Sequence, residues 1–381
     1  MFKYSLLTAC WLGWFIVFLN RFSISPILSL IENEFSILHS EAGLLMSSYL
    51  LAYAIMQIPA GIFSDRFGRK YMIVLGLLIS SLSNIFIGLS SDFTHMVLYR
   101  FLTGLGAGTY FSASTSIISD AFPAGKRGKP IGLTSSGIGV GTVTAVFLGG
   151  LIAELNSWRL VFLTFTIPGL IGTILFWRLV KENRKHIGNI RNYRIPYMSV
   201  FKSKSLTNLT IIHFLVLATY FSLNTFIPTY LTVEAKLSLL FANIIFMALP
   251  LFEIPAGPLG GLLADKIGKK YVSITGLLVI AFISSILPLA KSPMLFFISL
   301  ILIGFMIRAI LTVLSIFVTD TSSPSTIGTA LGLYNAMGFL GSSIGPYVFG
   351  LLTDLYGFNS AFLFTGIIAC TTIPLIILIR E

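Results

Sequence analysis

The stretch Gly61-Ile-Phe-Ser-Asp65-Arg66-Phe-Gly68-Arg69-Lys70-Tyr71 occurs again 200 residues later as Gly261-Leu-Leu-Ala-Asp265-Lys266-Ile-Gly268-Lys269-Lys270-Tyr271. Each copy joins two apolar runs of ~20 residues, the length that crosses a bilayer as an α-helix. The central glycine of each copy suits a tight turn, because glycine adopts positive φ without a Cβ clash. The duplication therefore predicts two related helical bundles in a membrane, as in many secondary transporters.

The composition is that of a membrane protein. Of the 381 residues, 55% are hydrophobic and 10% are charged, against roughly 25% charged in an average soluble chain. Mean hydropathy is +0.92. Both cysteines fall in apolar runs, which indicates neither a disulfide framework nor a zinc site, and no metal or cofactor is expected. The first apolar run is long and lacks a cleavage site, so we expect it to be the first span.

Apolar runs between polar breaks predict twelve transmembrane helices. The predicted spans are 5–28, 41–62, 71–90, 95–118, 131–153, 159–179, 206–230, 238–262, 271–290, 294–318, 327–352 and 359–379. We therefore predict an all-α polytopic membrane protein. Its predicted parts are an N-terminal six-helix bundle (1–180), a basic linker (181–205) and a C-terminal six-helix bundle (206–381).

Basic residues predict the orientation. With the N-terminus inside, 19 of the 25 lysines and arginines fall in cytoplasmic segments and three fall outside. Cytoplasmic loops are enriched in lysine and arginine, so both termini are predicted to be cytoplasmic in a cell membrane. The net charge of +11 then reflects topology, and nucleic acid is not an expected partner.

These motifs resemble those of the major facilitator superfamily over essentially the whole chain. Residues Gly61 to Lys70 match its loop pattern G-x-x-x-D-R-x-G-R-K, and the second copy differs by lysine for arginine. Arg100 with Gly104 and Gly108 resembles the fourth-span pattern, and residues 341–350 resemble a glycine-proline pattern. The resemblance implies the major facilitator fold, two pseudo-symmetric six-helix bundles with spans 1, 4, 7 and 10 around a central cavity.

A narrower resemblance concerns the first span. Asn20-Arg21, followed by the run from Leu44 into the loop, resembles the anion:cation symporter branch, which handles organic acid anions. That branch has aspartate before the arginine and glutamate seven residues after the fourth-span arginine. Here the two positions hold Asn20 and Ala107, which leaves Glu253 as the acid deep in a span.

Charged side chains inside a bilayer are costly, at ~2.5–3.5 kcal/mol each on insertion scales, and they mark functional sites. Arginine offers charge and paired donors to a carboxylate, whereas the alternative for Arg100 is to tie helices together. We expect His213 to pack between helices. For Glu253 there are two alternatives, a proton carrier or the partner of a nearby arginine. The predicted substrate-binding residues are Arg21, Arg308, Arg100, Tyr49, Tyr53, Gln57, Tyr220, Asn224 and Asn335, and Glu253 is the predicted coupling residue.

A second predicted set is charged and lies at the cytoplasmic helix ends. Acids and bases there can form ion pairs that hold one conformation, and we expect Asp120 and Asp320 to pair with Arg69 and Lys269 or their neighbours. The predicted gating residues are Asp65, Arg66, Arg69, Asp120, Asp265, Lys266, Lys269 and Asp320.

The sequence therefore predicts a monomeric secondary transporter for a small organic anion, working by alternating access. Its transport is coupled to H⁺ or Na⁺, exchanges the substrate against another anion, or is uncoupled. The alternatives are a drug efflux antiporter, which needs an acidic aromatic cavity, and a neutral sugar transporter, for which the span asparagines supply hydrogen bonds. A membrane sensor is the alternative without transport. No HExxH motif occurs, and the G-x-S-x-G match at residues 341–345 falls inside the predicted span 327–352 rather than at a strand-to-helix turn, so an enzyme is not predicted.

Overall fold

The computed structural model of the chain describes residues 2–123, 126–180, 203–322 and 327–379. Every regular element in these ranges is helical, which confirms the predicted all-α class. The helices are α1 (Phe2–Phe22), α2 (Leu28–Phe35), α3 (His39–Phe67), α4 (Arg69–Gly88), α5 (Phe93–Gly108), α6 (Tyr110–Ala121), α7 (Gly128–Leu155), α8 (Trp158–Leu179), α9 (Lys204–Val233), α10 (Leu239–Phe246), α11 (Ala248–Ile267), α12 (Lys269–Ile286), α13 (Pro293–Thr321) and α14 (Ile327–Ile377). Apart from 203–205, the predicted linker 181–205 lies outside the described residues.

The helix lengths are consistent with twelve spans. Ten helices or joined helices in the described ranges are long and apolar enough to cross a membrane. The longest, α14, has 51 residues and contains Gly357 at φ 80° and ψ 166°, where two helices meet. The predicted fourth span corresponds to α5 and α6, which adjoin at Thr109 and are each too short to cross alone.

Side-chain caps fix the starts of several helices. Asp92 accepts a hydrogen bond from the His95 backbone N–H at 3.0 Å and begins α5. Ser157, Ser203 and Ser292 accept equivalent bonds at the starts of α8, α9 and α13. Each cap satisfies one of the backbone donors that a helix leaves unpaired at its first turn. Polar residues between apolar runs therefore mark where these spans begin.

The duplicated loop folds as the sequence predicts. Gly68 is the only residue between α3 and α4 and has φ 105°, and Gly268 separates α11 from α12 with φ 95°. Residues with a Cβ rarely adopt these angles. A single glycine therefore reverses the chain in each copy.

The chain divides by packing into two compact units. The first comprises Met1–Ser36 and Ser48–Tyr193, and the second comprises Ile37–Ser47 and Arg194–Glu381. The first turns of α3 therefore pack with the second unit, which periodicity along the chain does not indicate.

A carboxylate explains the placement of residues 37–47 in the second unit. Asp354 accepts hydrogen bonds from the backbone N–H groups of His39 and Ser40, at 2.9 and 2.8 Å. The negative charge also suits the positive end of the helix dipole. The His39 ring packs edge-on against Phe358, with ring centroids 4.9 Å apart. The start of α3 is thus capped by a residue 315 positions away.

Within each unit the packing repeats. In the first unit α1 packs on α7, and α4 packs on α5 and α8; in the second, α9 packs on α14, and α12 packs on α13 and α14. A methyl group on Gly104 would collide with the Tyr49 carbonyl, and one on Gly304 would collide with the Leu249 carbonyl. Small residues let membrane helices approach this closely. The same close approach recurs at the 200-residue offset of the loop.

Candidate functional site

Arg21 lies in an aromatic cage near the end of α1. Its guanidinium carbon is 4.5 Å from the Phe18 ring centroid, 4.4 Å from Tyr53 and 5.6 Å from Tyr49. Tyr49 and Tyr53 are one turn apart on α3, as the predicted tyrosine row requires. Such contacts are stronger in a desolvated setting, and Arg21 is 2% exposed. The cage holds a buried positive charge in one orientation.

Arg100 ties α5 to the end of α1. Its Nη1 donates to the Asn20 carbonyl at 2.9 Å, and its Nη2 donates to the Arg21 carbonyl at 3.2 Å. The last carbonyls of a helix lack intrahelical donors and favour a positive charge. Arg100 is completely buried and stacks over Tyr49 at 4.7 Å. This geometry suits the helix-tying alternative for Arg100; a substrate contact there stays a prediction.

A buried amide pair lies beside the arginines. The Nδ2 of Asn84, on α4, donates to Asn20 Oδ1 at 2.8 Å, and both residues are completely buried. Sequence reasoning did not select Asn84, although a single amide in an apolar span was an available signal. Gln57, two turns after Tyr49, is half-buried.

The second unit holds a polar cluster formed by Tyr220, Glu253 and Arg308. The Tyr220 hydroxyl, from α9, donates to Glu253 Oε2 on α11 at 3.2 Å. Glu253 Oε1 is shielded and has no hydrogen-bond partner among the described residues. Arg308, on α13, is half-buried, and its charge acts on the Glu253 carboxyl.

Arg308 lies against the next turn of α11. A Cβ placed on Gly257 would be 3.9 Å from Arg308 Nε and 3.7 Å from Thr312 Oγ1. None of the ion pairs among the described residues includes Arg308. The cluster therefore presents a partly accessible guanidinium that no side chain of the described ranges neutralises by direct contact.

Other predicted residues of the second unit have different surroundings. Asn224 is completely buried, and its Nδ2 donates to the Tyr220 carbonyl of its own helix at 2.9 Å. His213 is buried and stacks on Tyr334, with ring centroids 3.7 Å apart, as expected of a packing residue. Asn335 is half-buried on α14. The structure thus joins Tyr220 to Glu253 but directs the Asn224 amide at the backbone.

Among the side chains that the structure describes, the predicted gating residues form one ion pair in each unit. Arg69 pairs with Asp120 and also donates from Nη1 to the Ser116 carbonyl at 3.3 Å. Lys269 Nζ lies 2.5 Å from Asp320 Oδ2. These pairs occupy equivalent positions of the repeat.

The remaining gating residues lie at the two glycine turns. Arg66, Asp265 and Lys266 are exposed. The side chain of Asp65 lies outside the described part of the structure.

The comparisons with known proteins cover most of the chain. The family model described as "Major Facilitator Superfamily" matches residues 10–252 and 209–381. A "Hexuronate transporter" from Bacillus subtilis (strain 168) is 25% identical over 371 residues, which cover 92% of this chain and 88% of that protein. A "Cis,cis-muconate transport protein" from Acinetobacter baylyi is 26% identical, with 91% and 87% covered. A solved bacterial homologue of the human lysosomal transporter Spinster, inward-facing and occupied, has a TM-score of 0.88 and 21% identity, with 98% of this chain and 96% of that chain covered.

Proposed function

Since this chain belongs to the major facilitator superfamily, we propose that it is a secondary transporter of a small carboxylate-bearing organic anion. It works by alternating access in a cell membrane, as a monomer with both termini cytoplasmic. H⁺ is the proposed coupling ion, carried by Glu253, because a carboxyl in the middle of a span can change its charge by binding one proton.

The observation that carries the proposal is that Arg308 is half-buried in a span and forms no ion pair with the described residues. A guanidinium in a span is costly unless its charge is compensated. Arg308 is half-buried and forms no ion pair with the described residues, while Glu253 acts on it from a distance. A planar fork of donors suits the two oxygens of a carboxylate. An anionic ligand would supply the direct ion pair that Arg308 lacks among the described residues.

Relatives that align with this chain over most of their own length support the choice of ligand. One is named for hexuronate and another for cis,cis-muconate, and both compounds carry carboxylates. An excess of arginine over acid in the spans favours an anion over a lipophilic cation. We therefore place sugar acids and small dicarboxylates first among the candidate substrates.

Arg21 is a second proposed substrate contact. Because it is 2% exposed inside its cage, contact with substrate requires a conformation in which Phe18 or Tyr53 moves away. Tyr49, Tyr53, Gln57, Tyr220, Asn224, Asn335 and Arg100 complete the proposed binding set. The Arg69–Asp120 and Lys269–Asp320 pairs are the proposed gates, since each ties together two helix ends of one unit.

Counterflow in proteoliposomes tests the proposal. Vesicles loaded with one unlabelled compound at a time would be diluted into the same labelled compound, with D-glucuronate, cis,cis-muconate, D-glucose and tetraphenylphosphonium as the panel. We expect transient accumulation of the two anions. Arg308→Ala should strongly reduce it, whereas Arg178→Ala, at an exposed arginine at the end of α8, should not. Accumulation of glucose or the cation alone would contradict the proposal.

A further inference from the structure

Tyr220, Glu253 and Arg308 lie at the same depth of three neighbouring helices. Glu253 is the central residue of the candidate span Leu239–Ile267, 14 residues from either end. Arg308 is 15 residues from the start of Pro293–Thr321, and Tyr220 is 16 residues from the start of Lys204–Val233. Because the rise is ~1.5 Å per residue, each side chain is more than ~18 Å of helix from both ends of its span. The cluster is a mid-span charge site within one unit.

Arg308 and Glu253 interact without a direct ion pair. Arg308 Nε lies against Gly257, one turn beyond Glu253, and a turn advances the helix by ~5.4 Å. The carboxylate and guanidinium are therefore near enough to attract each other but form no direct ion pair.

An anion bound at Arg308 would alter the charge balance at Glu253. At a pH where Glu253 is ionised and no ligand is bound, Arg308 attracts the Glu253 carboxylate and the Tyr220 hydroxyl donates a hydrogen bond to it. A bound carboxylate would neutralise Arg308 and would lie close to a second negative charge in a shielded site. Like charges at this distance disfavour the ionised form of one of them.

We propose that an organic anion binds Arg308 together with one proton on Glu253, so that the anion and the proton are coupled within the C-terminal unit. The proton leaves hydronium or the buffer acid and forms an O–H bond with a carboxylate oxygen of Glu253, and water or the buffer base remains. This inference rests on the proposed function and identifies how its coupling site works. The first unit offers Asn20, whose Oδ1 accepts from Asn84, and a carboxamide does not titrate as a carboxyl does.

The groups that act on Glu253 from neighbouring helices are Arg308 on α13 and Tyr220 on α9. Helix α10, Leu239–Phe246, carries no ionisable residue. The ionisable residues of α12 are confined to its first turn, at residues 269–271. Glu253 is accordingly the acidic group whose protonation responds to a ligand on Arg308.

Proton counting by calorimetry tests the inference. Purified full-length protein would be titrated with D-glucuronate and with cis,cis-muconate in phosphate and in Tris at the same pH. The two buffers have different ionisation enthalpies, so the difference between the two binding heats gives the number of protons exchanged with the buffer. We expect uptake of ~1 proton per anion by the unmodified protein at a pH where Glu253 is ionised. Glu253→Gln should bind the anion with uptake near zero, and Glu234→Gln, at the end of α9, should retain full uptake.

Three results separate failure of the inference from failure of the proposed function. Absence of binding by the unmodified protein for both anions contradicts the proposed function. Binding without proton uptake, or unchanged uptake in Glu253→Gln, contradicts the inference alone. If Glu253→Gln does not fold, Tyr220→Phe is the deciding variant. It removes the hydrogen bond that stabilises the ionised Glu253 carboxylate, so proton uptake on anion binding should extend to higher pH. An unshifted pH profile of proton uptake overturns the inference.

Discussion

Replacement of Arg308 by alanine is the substitution with the largest expected effect on substrate binding. Opposite unit charges ~4 Å apart attract by ~4 kcal/mol at an effective dielectric constant of ~20. Arg308 is half-buried, and water entering the truncated site replaces part of this attraction. We therefore expect a loss of ~2 kcal/mol, or a ~30-fold weaker Kd.

A lysine at the same position separates charge from geometry. Arg308→Lys keeps the positive charge but lacks the planar fork that engages both carboxylate oxygens. Loss of one hydrogen bond of ~1 kcal/mol predicts a ~5-fold weaker Kd. The order should therefore be unmodified protein, lysine variant, alanine variant, from tightest to weakest.

Binding of D-glucuronate and cis,cis-muconate would be measured by calorimetry in detergent micelles. Arg178→Ala serves as the matched control, because it removes an arginine from an exposed helix end, and it should bind as the unmodified protein does. Thermal unfolding of each variant would show that the fold persists. Equal affinity of Arg308→Ala and the control would refute the assignment of Arg308 to the anion.

Three further substitutions test the gates and the packing. Asp120→Asn should slow counterflow several-fold with unchanged substrate Kd, because it removes the charge that pairs with Arg69; an unchanged rate would exclude a gating role. Gly104→Ala should lower the midpoint of thermal unfolding, since overpacking against the Tyr49 carbonyl costs ~1–3 kcal/mol, whereas Gly132→Ala, with open space around it, should not. Arg100→Met should also lower this midpoint by leaving the last carbonyls of α1 unpaired; an unaltered midpoint would argue against the tie.

Local sequence features predicted the elements whose cause is local. Apolar run length predicted the spans, and Gly68 and Gly268 have the positive φ that their turns require. The 200-residue repeat also pointed to Asp120 and Asp320 as partners of Arg69 and Lys269, and the structure places these residues in contact. In these cases spacing along one helix or one loop carries the information.

Contacts between distant segments were not predictable in the same way. Arg100 donates to backbone carbonyls, and every residue type has a carbonyl, so no sequence pattern marks the acceptor. The Asn20–Asn84 pair joins residues 64 positions apart. The Asp354 cap on α3 depends on the packing of residues 37–47 with the second unit. Helical periodicity gives the face of a residue but not its partner.

The carboxylate requirement is most directly tested by competition between two sugars that differ at one carbon. Counterflow of labelled D-glucuronate would be measured with excess unlabelled D-glucuronate or D-glucose outside, since the two share a ring and differ in a carboxylate against a hydroxymethyl group. We predict that D-glucuronate suppresses the labelled signal and that D-glucose leaves it unchanged. Equal suppression by both sugars would contradict an anion-selective site at Arg308.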